Sequence, residues 1–240
     1  MLKSTVRRTF HSLGFELTRY NPSHSEDARF LAMLSAHHVD LVFDIGANTG
    51  QFGRHLRDSG YRGRIVSFEP LPSEWNRLVE VSGNDSLWQA APRCAIGSAD
   101  GEIEIHVAGN SASSSALNML DSHRNAAPES AYIGTERVPL RRLDSIAPDY
   151  LTSDSVFLIK IDTQGFESEV LKGAAATLKS AVGLSLEISF VPLYEGQALF
   201  EDMYAQIRAL GFEAWDFKPA FVDDQSGRLL QADVTFFRAG

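Results

Sequence analysis

Two carboxylates placed at the ends of apolar runs are the residues whose type and spacing first suggest chemistry. The stretch Val42-Phe43-Asp44-Ile45-Gly46-Ala47-Asn48-Thr49-Gly50 sets an acid and two glycines directly after a short strand-like run. Gly46 and Gly50 allow a tight turn and a close approach of the backbone to a ligand at a helix N-terminus. Glu69 lies 25 positions beyond Asp44, after a second apolar run. A carboxylate there can accept both hydroxyls of a ribose. The pair of features points to an adenosine-type ligand. A dinucleotide fingerprint would need glycines at 46, 48 and 51, where the chain has Gly46, Asn48 and Gln51. No Gly-Lys-Ser/Thr of a phosphate-binding loop precedes the helix. Asp44 would repel a pyrophosphate but suits the cationic methionine portion of S-adenosylmethionine; the competing reading is a carboxylate that braces the loop.

The elements that must hold these residues alternate strand-like and helix-like patterns, which implies an α/β fold with a mostly parallel central sheet. Strands are expected at 41–43, 64–68, 88–96, 156–161 and 183–188. Pro92 marks the third as an edge or irregular strand. Helices are expected at 51–59, closed by Gly60, and from Pro72-Ser73 with Trp75, Leu78 and Val79 inward. Further helices follow from the stripes Phe166, Val170, Ala174, Leu178 and Leu199, Met203, Ile207, Leu210. The runs 212–217 and 234–237 around a turn-rich Asp223-Asp224-Gln225-Ser226-Gly227 read as a terminal antiparallel hairpin. Between strands three and four, Glu102 to Val107 alternates strictly, Asn110 to Ser130 reads as a long serine-rich loop, and Arg137 to Leu140 pairs with the first of these. The expected division is an N-terminal helical extension, 1–40, and one domain, 41–240, with a strand-loop insertion around 100–140.

Taken together, Val42 to Phe52, Phe68-Glu69-Pro70 and Leu158-Ile159-Lys160-Ile161-Asp162-Thr163-Gln164-Gly165-Phe166-Glu167 resemble the FkbM family of methyltransferases. The resemblance runs from about Val42 to Ile188 and includes Ala95-Ile96-Gly97 and Arg142-Leu143-Asp144. Gln164 departs from it, standing where the family usually carries an acid. The resemblance implies a Rossmann-like class I methyltransferase fold and O-methylation from S-adenosylmethionine, with a sugar, glycolipid or polyketide-type hydroxyl as acceptor. It implies cofactor contacts from Gly46, Ala47, Asn48, Gly50 and Gln51, and from Glu69 and Pro70 at the ribose. Ala95 and Ile96 would flank the adenine.

Such chemistry calls for a proton acceptor beside the hydroxyl. Asp162, at the end of the central strand, is the first candidate, with a contact to the cofactor amine or a structural hydrogen bond with Lys160 as its other roles. Glu187, near the end of the next strand, is the second. If both faced one pocket, a divalent metal could sit between them. His123, in the serine-rich loop, could close over substrate; its alternative is an exposed loop histidine. His106 reads as solvated. Ser113, Ser114 and Ser115 could form part of the same lid, and Trp215, Phe217 and Phe221 an acceptor wall. Two other functions stay open, an NAD-dependent oxidoreductase and a nucleoside-binding module without catalysis.

Composition narrows the field. A net charge of −9 over 240 residues argues against nucleic acid as a partner. The lone Cys94 excludes an internal disulfide and fits a reducing cytoplasm. No run reaches the length of a membrane span. Residues 1–20 carry Lys3, Arg7, Arg8 and Arg19 against Glu16, with Leu2, Val6, Phe10 and Leu13 at helical spacing. This segment reads as a helix packing on its own domain or on a second subunit of a homo-oligomer, with peripheral membrane contact as the alternative.

Overall fold

The structure, a computed structural model, describes residues 2–239, without the side chains of residues 2–5 and 7. Leu2, Lys3 and Arg7 of the basic stretch therefore lie outside the described side chains. Two helices, α1 (Leu2–Ser12) and α2 (Glu26–Ala36), lead into β1 (Leu41–Ile45), α3 (Gln51–Ser59), β2 (Arg64–Phe68), α4 (Pro72–Ser82) and β3 (Trp88–Ala90). An inserted region holds β4 (Ala95–Ile96), β5 (Gly101–Ala108), α5 (Asp121–Ala126), β6 (Tyr132–Arg141) and α6 (Leu143–Ile146). The central pattern resumes with β7 (Phe157–Ile161), α7 (Glu167–Gly173), β8 (Gly183–Ser189), α8 (Phe200–Ala209), β9 (Phe212–Val222) and β10 (Leu229–Arg238).

The main sheet has the order β3-β2-β1-β7-β8-β10-β9. Its first five strands run parallel, and β10 and β9 close it antiparallel. This is the Rossmann-like class I methyltransferase arrangement, and β1 and β7 at its middle are buried along their whole length. Such strands need apolar side chains on both faces, which Leu41-Val42-Phe43 and Phe157-Leu158-Ile159 supply. One face packs Phe43, Ile159, Leu184 and Phe236 against α7 and α8; the other packs Val42, Leu158 and Phe237 against α2 and α3. Each buried side chain of this size contributes roughly 1.5–3 kcal/mol.

Several local expectations are revised. The third run breaks at Pro92: Trp88–Ala90 forms the sheet edge, while Ala95–Ile96 leaves to join a second sheet, β4-β6-β5. Val79 points outward at 39% exposure, because the α4 stripe follows Leu78 and the half-buried Trp75, whose indole N–H donates to Ala91 O. The serine-rich loop contains α5 and is pinned by the bridges His106–Ser115 and Met119–Tyr194. Both arms of the closing hairpin are longer than the apolar runs that announce them. Among the described side chains of α1, Val6 and Phe10 are exposed, as are Leu13, Phe15 and Leu17 after it, while the Tyr20 hydroxyl donates to Ser59 O. No helix among the described residues is long and apolar enough to cross a membrane.

Candidate active site

The turn after β1 is built from left-handed backbone. Gly46, Asn48 and Gly50 have φ of 79°, 48° and 84°. Gly46 has no alternative, because a Cβ there would lie 1.8 Å from the Asp162 carbonyl oxygen. The Gly46 and Ala47 N–H groups donate to Phe68 O at 3.0 Å, locking the turn onto the end of β2. Beside that anchor, Glu69 accepts from Asn48 N through Oε2 at 2.8 Å and from Leu71 N through Oε1 at 2.9 Å. Burial pushes the Glu69 pKa up to about 7, against the pull of those two backbone donors. Each carboxylate oxygen keeps a lone pair for a ligand hydroxyl.

Turn, Glu69 and strand ends enclose a cavity of about 340 Å³. One wall is apolar, from Leu71, Ile96, Ile103, Ile105 and Phe166. Polar lining comes from Lys160, Asp162, Thr163, Gln164 and Asp233. The inserted region covers it with Ser111, Ala112 and Ser114 to Ala116. Asn48 Nδ2 donates to Ser111 Oγ at 3.2 Å, so the cover touches the turn directly.

Charged side chains form a seam at the ends of β7 and β8. Lys160 lies 3.3 Å from Asp44 Oδ1 and 3.3 Å from Asp162 Oδ2. Burial disfavours its charge, but Asp162 and Asp44 outweigh that and hold its pKa above the usual lysine range. Beyond Asp162, the Gln164 side chain donates to Asp162 Oδ1 and Glu187 Oε2, each at 2.9 Å. Burial first, then Asp162 and Asp233, raises the Glu187 pKa well above the carboxylate range. Burial also lifts Glu167 to about 7, although it accepts from Thr163 N at 2.9 Å and Gly165 N at 3.2 Å.

Comparison with known proteins agrees with this geometry. The family model for the methyltransferase FkbM domain matches residues 44–214, well over half of the chain. This chain belongs to the FkbM methyltransferase family. A 2-O-methyltransferase, NoeI, of Sinorhizobium fredii is 29% identical over 163 residues, covering 65% of this chain and 66% of that protein. A hexuronic acid methyltransferase, AglP, of Haloferax volcanii is 25% identical over 167 residues, covering 68% and 62%. The matched stretch thus spans a little under two thirds of either relative's length. A solved FkbM methyltransferase from Methylobacillus flagellatus superposes with a TM-score of 0.52 at 15% identity, over 83% of this chain and 44% of that one, which shows a shared fold.

In this FkbM chain Gly46, Ala47, Asn48, Gln51, Glu69, Pro70, Ala95, Ile96 and Asp162 all line the cavity. Two expected cofactor contacts do not. Asp44 is fully buried beneath the turn, accepting from Ser67 Oγ at 3.0 Å and paired with Lys160. The register explains it, since Asp44 stands opposite Ser67 on β2 and Lys160 on β7. It ties β1 to Ser67 of β2 and Lys160 of β7 and does not line the cavity. Gly50 is buried at the start of α3 against Trp88 and Leu78. Of the catalytic candidates, Asp162 reaches the cavity and Glu187 stands behind it across Gln164. His123 is neither exposed nor in the cavity. It is 3% exposed in α5, packs on Tyr194 and Phe221, and has its pKa lowered to about 4 by burial. His106, read as solvated, instead stacks on Tyr132 at 4.9 Å. Trp215 packs on Phe237 and His37, whereas Phe217 meets Phe200 of α8, so the two form no single wall.

A divalent metal between Asp162 and Glu187 does not fit this donor set. The Gln164 amide occupies the space between them, and the described residues contain no group of three or more His, Cys, Asp or Glu able to hold a metal. The sequence offered Lys160 only as a hydrogen-bond partner of Asp162 and gave no sign of Tyr194. Lys160 was visible as a charge inside a buried strand, while Tyr194 carried no local signal.

Proposed function

We propose that this chain transfers a methyl group from S-adenosylmethionine to a hydroxyl of a sugar or sugar-bearing acceptor. The observation that carries the reading is the buried Glu69, fixed by two backbone N–H groups and open to the cavity beside the Gly46–Asn48 turn. A carboxylate so placed holds a ribose, and the apolar wall at Ile96 and Leu71 takes an adenine. Asp162 supplies negative charge to a cationic amino-acid portion. When bound, S-adenosylmethionine supplies an electrophilic methyl group. The chain's own part is to align the acceptor hydroxyl and to receive its proton.

Asp162 is the proton acceptor in this reading. Its Oδ1 and Oδ2 each accept one bond, from Gln164 and Lys160, and each keeps a lone pair. Ser111, Ala112 and Ser114 to Ala116 line the cavity from the inserted region. The two relatives, a 2-O-methyltransferase and a hexuronic acid methyltransferase, support a sugar hydroxyl as the acceptor. The test is transfer of labelled methyl from S-adenosylmethionine to a panel of glycosides, uronides and glycolipids. Label on any of them, lost in Asp162→Asn, supports the reading, and cofactor binding without transfer to any would favour a non-catalytic module.

The exposed Val6, Phe10, Leu13 and Phe15, with Arg8 and Arg19 nearby in sequence, support contact of residues 1–20 with an anionic lipid surface that carries such an acceptor. Sedimentation with anionic liposomes, with and without residues 1–20, tests it. Equal partitioning of both forms would contradict it.

A further inference from the structure

Gln164 is hydrogen-bonded through both ends of its side-chain amide. Both hydrogens of its amide are used, one on Asp162 Oδ1 and one on Glu187 Oε2, at 2.9 Å each. Its Oε1 accepts from the Tyr194 hydroxyl at 2.8 Å, and its backbone O accepts from Ser115 Oγ at 2.6 Å. To reach these partners the backbone takes φ of 54°, a conformation uncommon for a residue other than glycine. The turn is held in that shape by Glu167, which accepts from the N–H groups on either side of Gln164. Both joined carboxylates have other N–H donors. Gln231 Nε2 donates to Glu187 Oε2 at 2.7 Å, and Lys160 donates to Asp162 Oδ2 at 3.3 Å.

A cation shared by two carboxylates requires their lone pairs to converge on one point at roughly 2.0–2.6 Å. Here the lone pairs converge on an amide nitrogen whose hydrogens point at them. An amide also carries no net charge, so it spaces the carboxylates without neutralising them. Resting on the reading of Asp162 as proton acceptor, we propose that Gln164 is a positioning residue. Its neutral amide takes the place of a divalent cation between Asp162 and Glu187, leaves the site without affinity for such a cation, and ties both carboxylates to Tyr194 and Ser115.

Replacing the amide by a carboxylate keeps the shape and reverses the chemistry, since Gln164→Glu puts three acids where two N–H bonds were. The experiment follows Mn²⁺ by electron paramagnetic resonance in the full chain, the free-ion signal falling as metal binds. Wild type, Gln164→Glu and Gln164→Met are compared, with thermal melting to confirm folding and S-adenosylmethionine titrated in parallel. The expected result is that wild type and Gln164→Met leave Mn²⁺ free. Gln164→Glu gains a single site at least about tenfold tighter, which Asp162→Ala removes again. A structural role alone would not create that site. Mn²⁺ binding by wild type that Asp162→Ala abolishes would overturn the proposal, as would a folded Gln164→Glu with no more affinity than wild type. Should Gln164→Glu fail to fold, the wild-type titration decides in the same two directions. Failure of wild type to bind S-adenosylmethionine would sink the proposed function and leave the metal result to judge Gln164 by itself.

Discussion

The two ends of the cavity are made in different ways. At β1 and β2 the cradle is mostly backbone: left-handed residues at 46 and 48, N–H groups anchored to Phe68 O, and one carboxylate satisfied by two amides. At β7 and β8 the site is mostly side chain, with Lys160, Asp162, Gln164 and Glu187 holding one another. A backbone cradle tolerates no added atom, yet it works with many side chains facing outward. A side-chain seam accepts small changes of shape but depends on each charge and each N–H. The first end therefore suits a ligand common to a whole family, and the second suits tuning of acceptor and proton chemistry.

The harshest way to break the contrast is Gly46→Ala. The new Cβ would sit 1.8 Å from Asp162 O, at positive φ, so the turn and the end of β7 must separate. The expected loss is at least about 3–5 kcal/mol of stability, read by chemical denaturation, with cofactor binding abolished. Next comes Glu69→Ala, which removes the ribose acceptor and leaves Asn48 N and Leu71 N without their carboxylate. Calorimetry should show affinity for S-adenosylmethionine weakened by at least about 100-fold, at roughly 1.5–3 kcal/mol for each of two hydrogen bonds to a charged group. On the side-chain end, Asp162→Asn should lower kcat by about 100-fold or more with a smaller change in cofactor affinity.

Acidity sharpens the comparison with a smaller effect. Glu69, with a pKa near 7, accepts from a ribose best when ionised, so cofactor affinity should rise about tenfold between about pH 6 and 8. Stability of the free protein should move the other way. A carboxylate raised from its ordinary value to about 7 on folding binds more protons folded than unfolded, so its contribution is present below about 4.5 and lost as pH rises through 7. Melting temperature of the free protein should thus fall from pH 6 to 8 while affinity climbs, and parallel trends would contradict the burial of Glu69 and Glu167. Phe217→Ala, at 47% exposure and away from both ends, should change stability and cofactor affinity by no more than about 0.5 kcal/mol.

What could be read in the sequence follows the same division. The cradle is contiguous, so Gly46, Asn48 and Glu69 declare themselves by position after apolar runs, and β1, β7 and β8 by their continuous apolar character. Asp44 could not be placed by that logic. Whether an acid at a strand end faces a ligand or a neighbouring strand depends on register, and here Ser67 and Lys160 stand beside it. The seam joins residues 160–164 to 187, 194 and 231, and no local pattern encodes those distances. Gln164 was legible only as a departure from the family's usual acid; its two acceptors and its Tyr194 donor emerge from the fold. His123 lies in a polar stretch, but Tyr194 and Phe221 come from far along the chain to bury it.

The central claim is that the β1–β2 cradle holds S-adenosylmethionine through Glu69. Calorimetric titration of wild type and Glu69→Ala with S-adenosylmethionine, S-adenosylhomocysteine and NAD tests it most directly. Micromolar binding of the first two to wild type, marked weakening in the variant, and no heat from NAD are expected. Binding of NAD alone, or equal affinity of both proteins for S-adenosylmethionine, would contradict it.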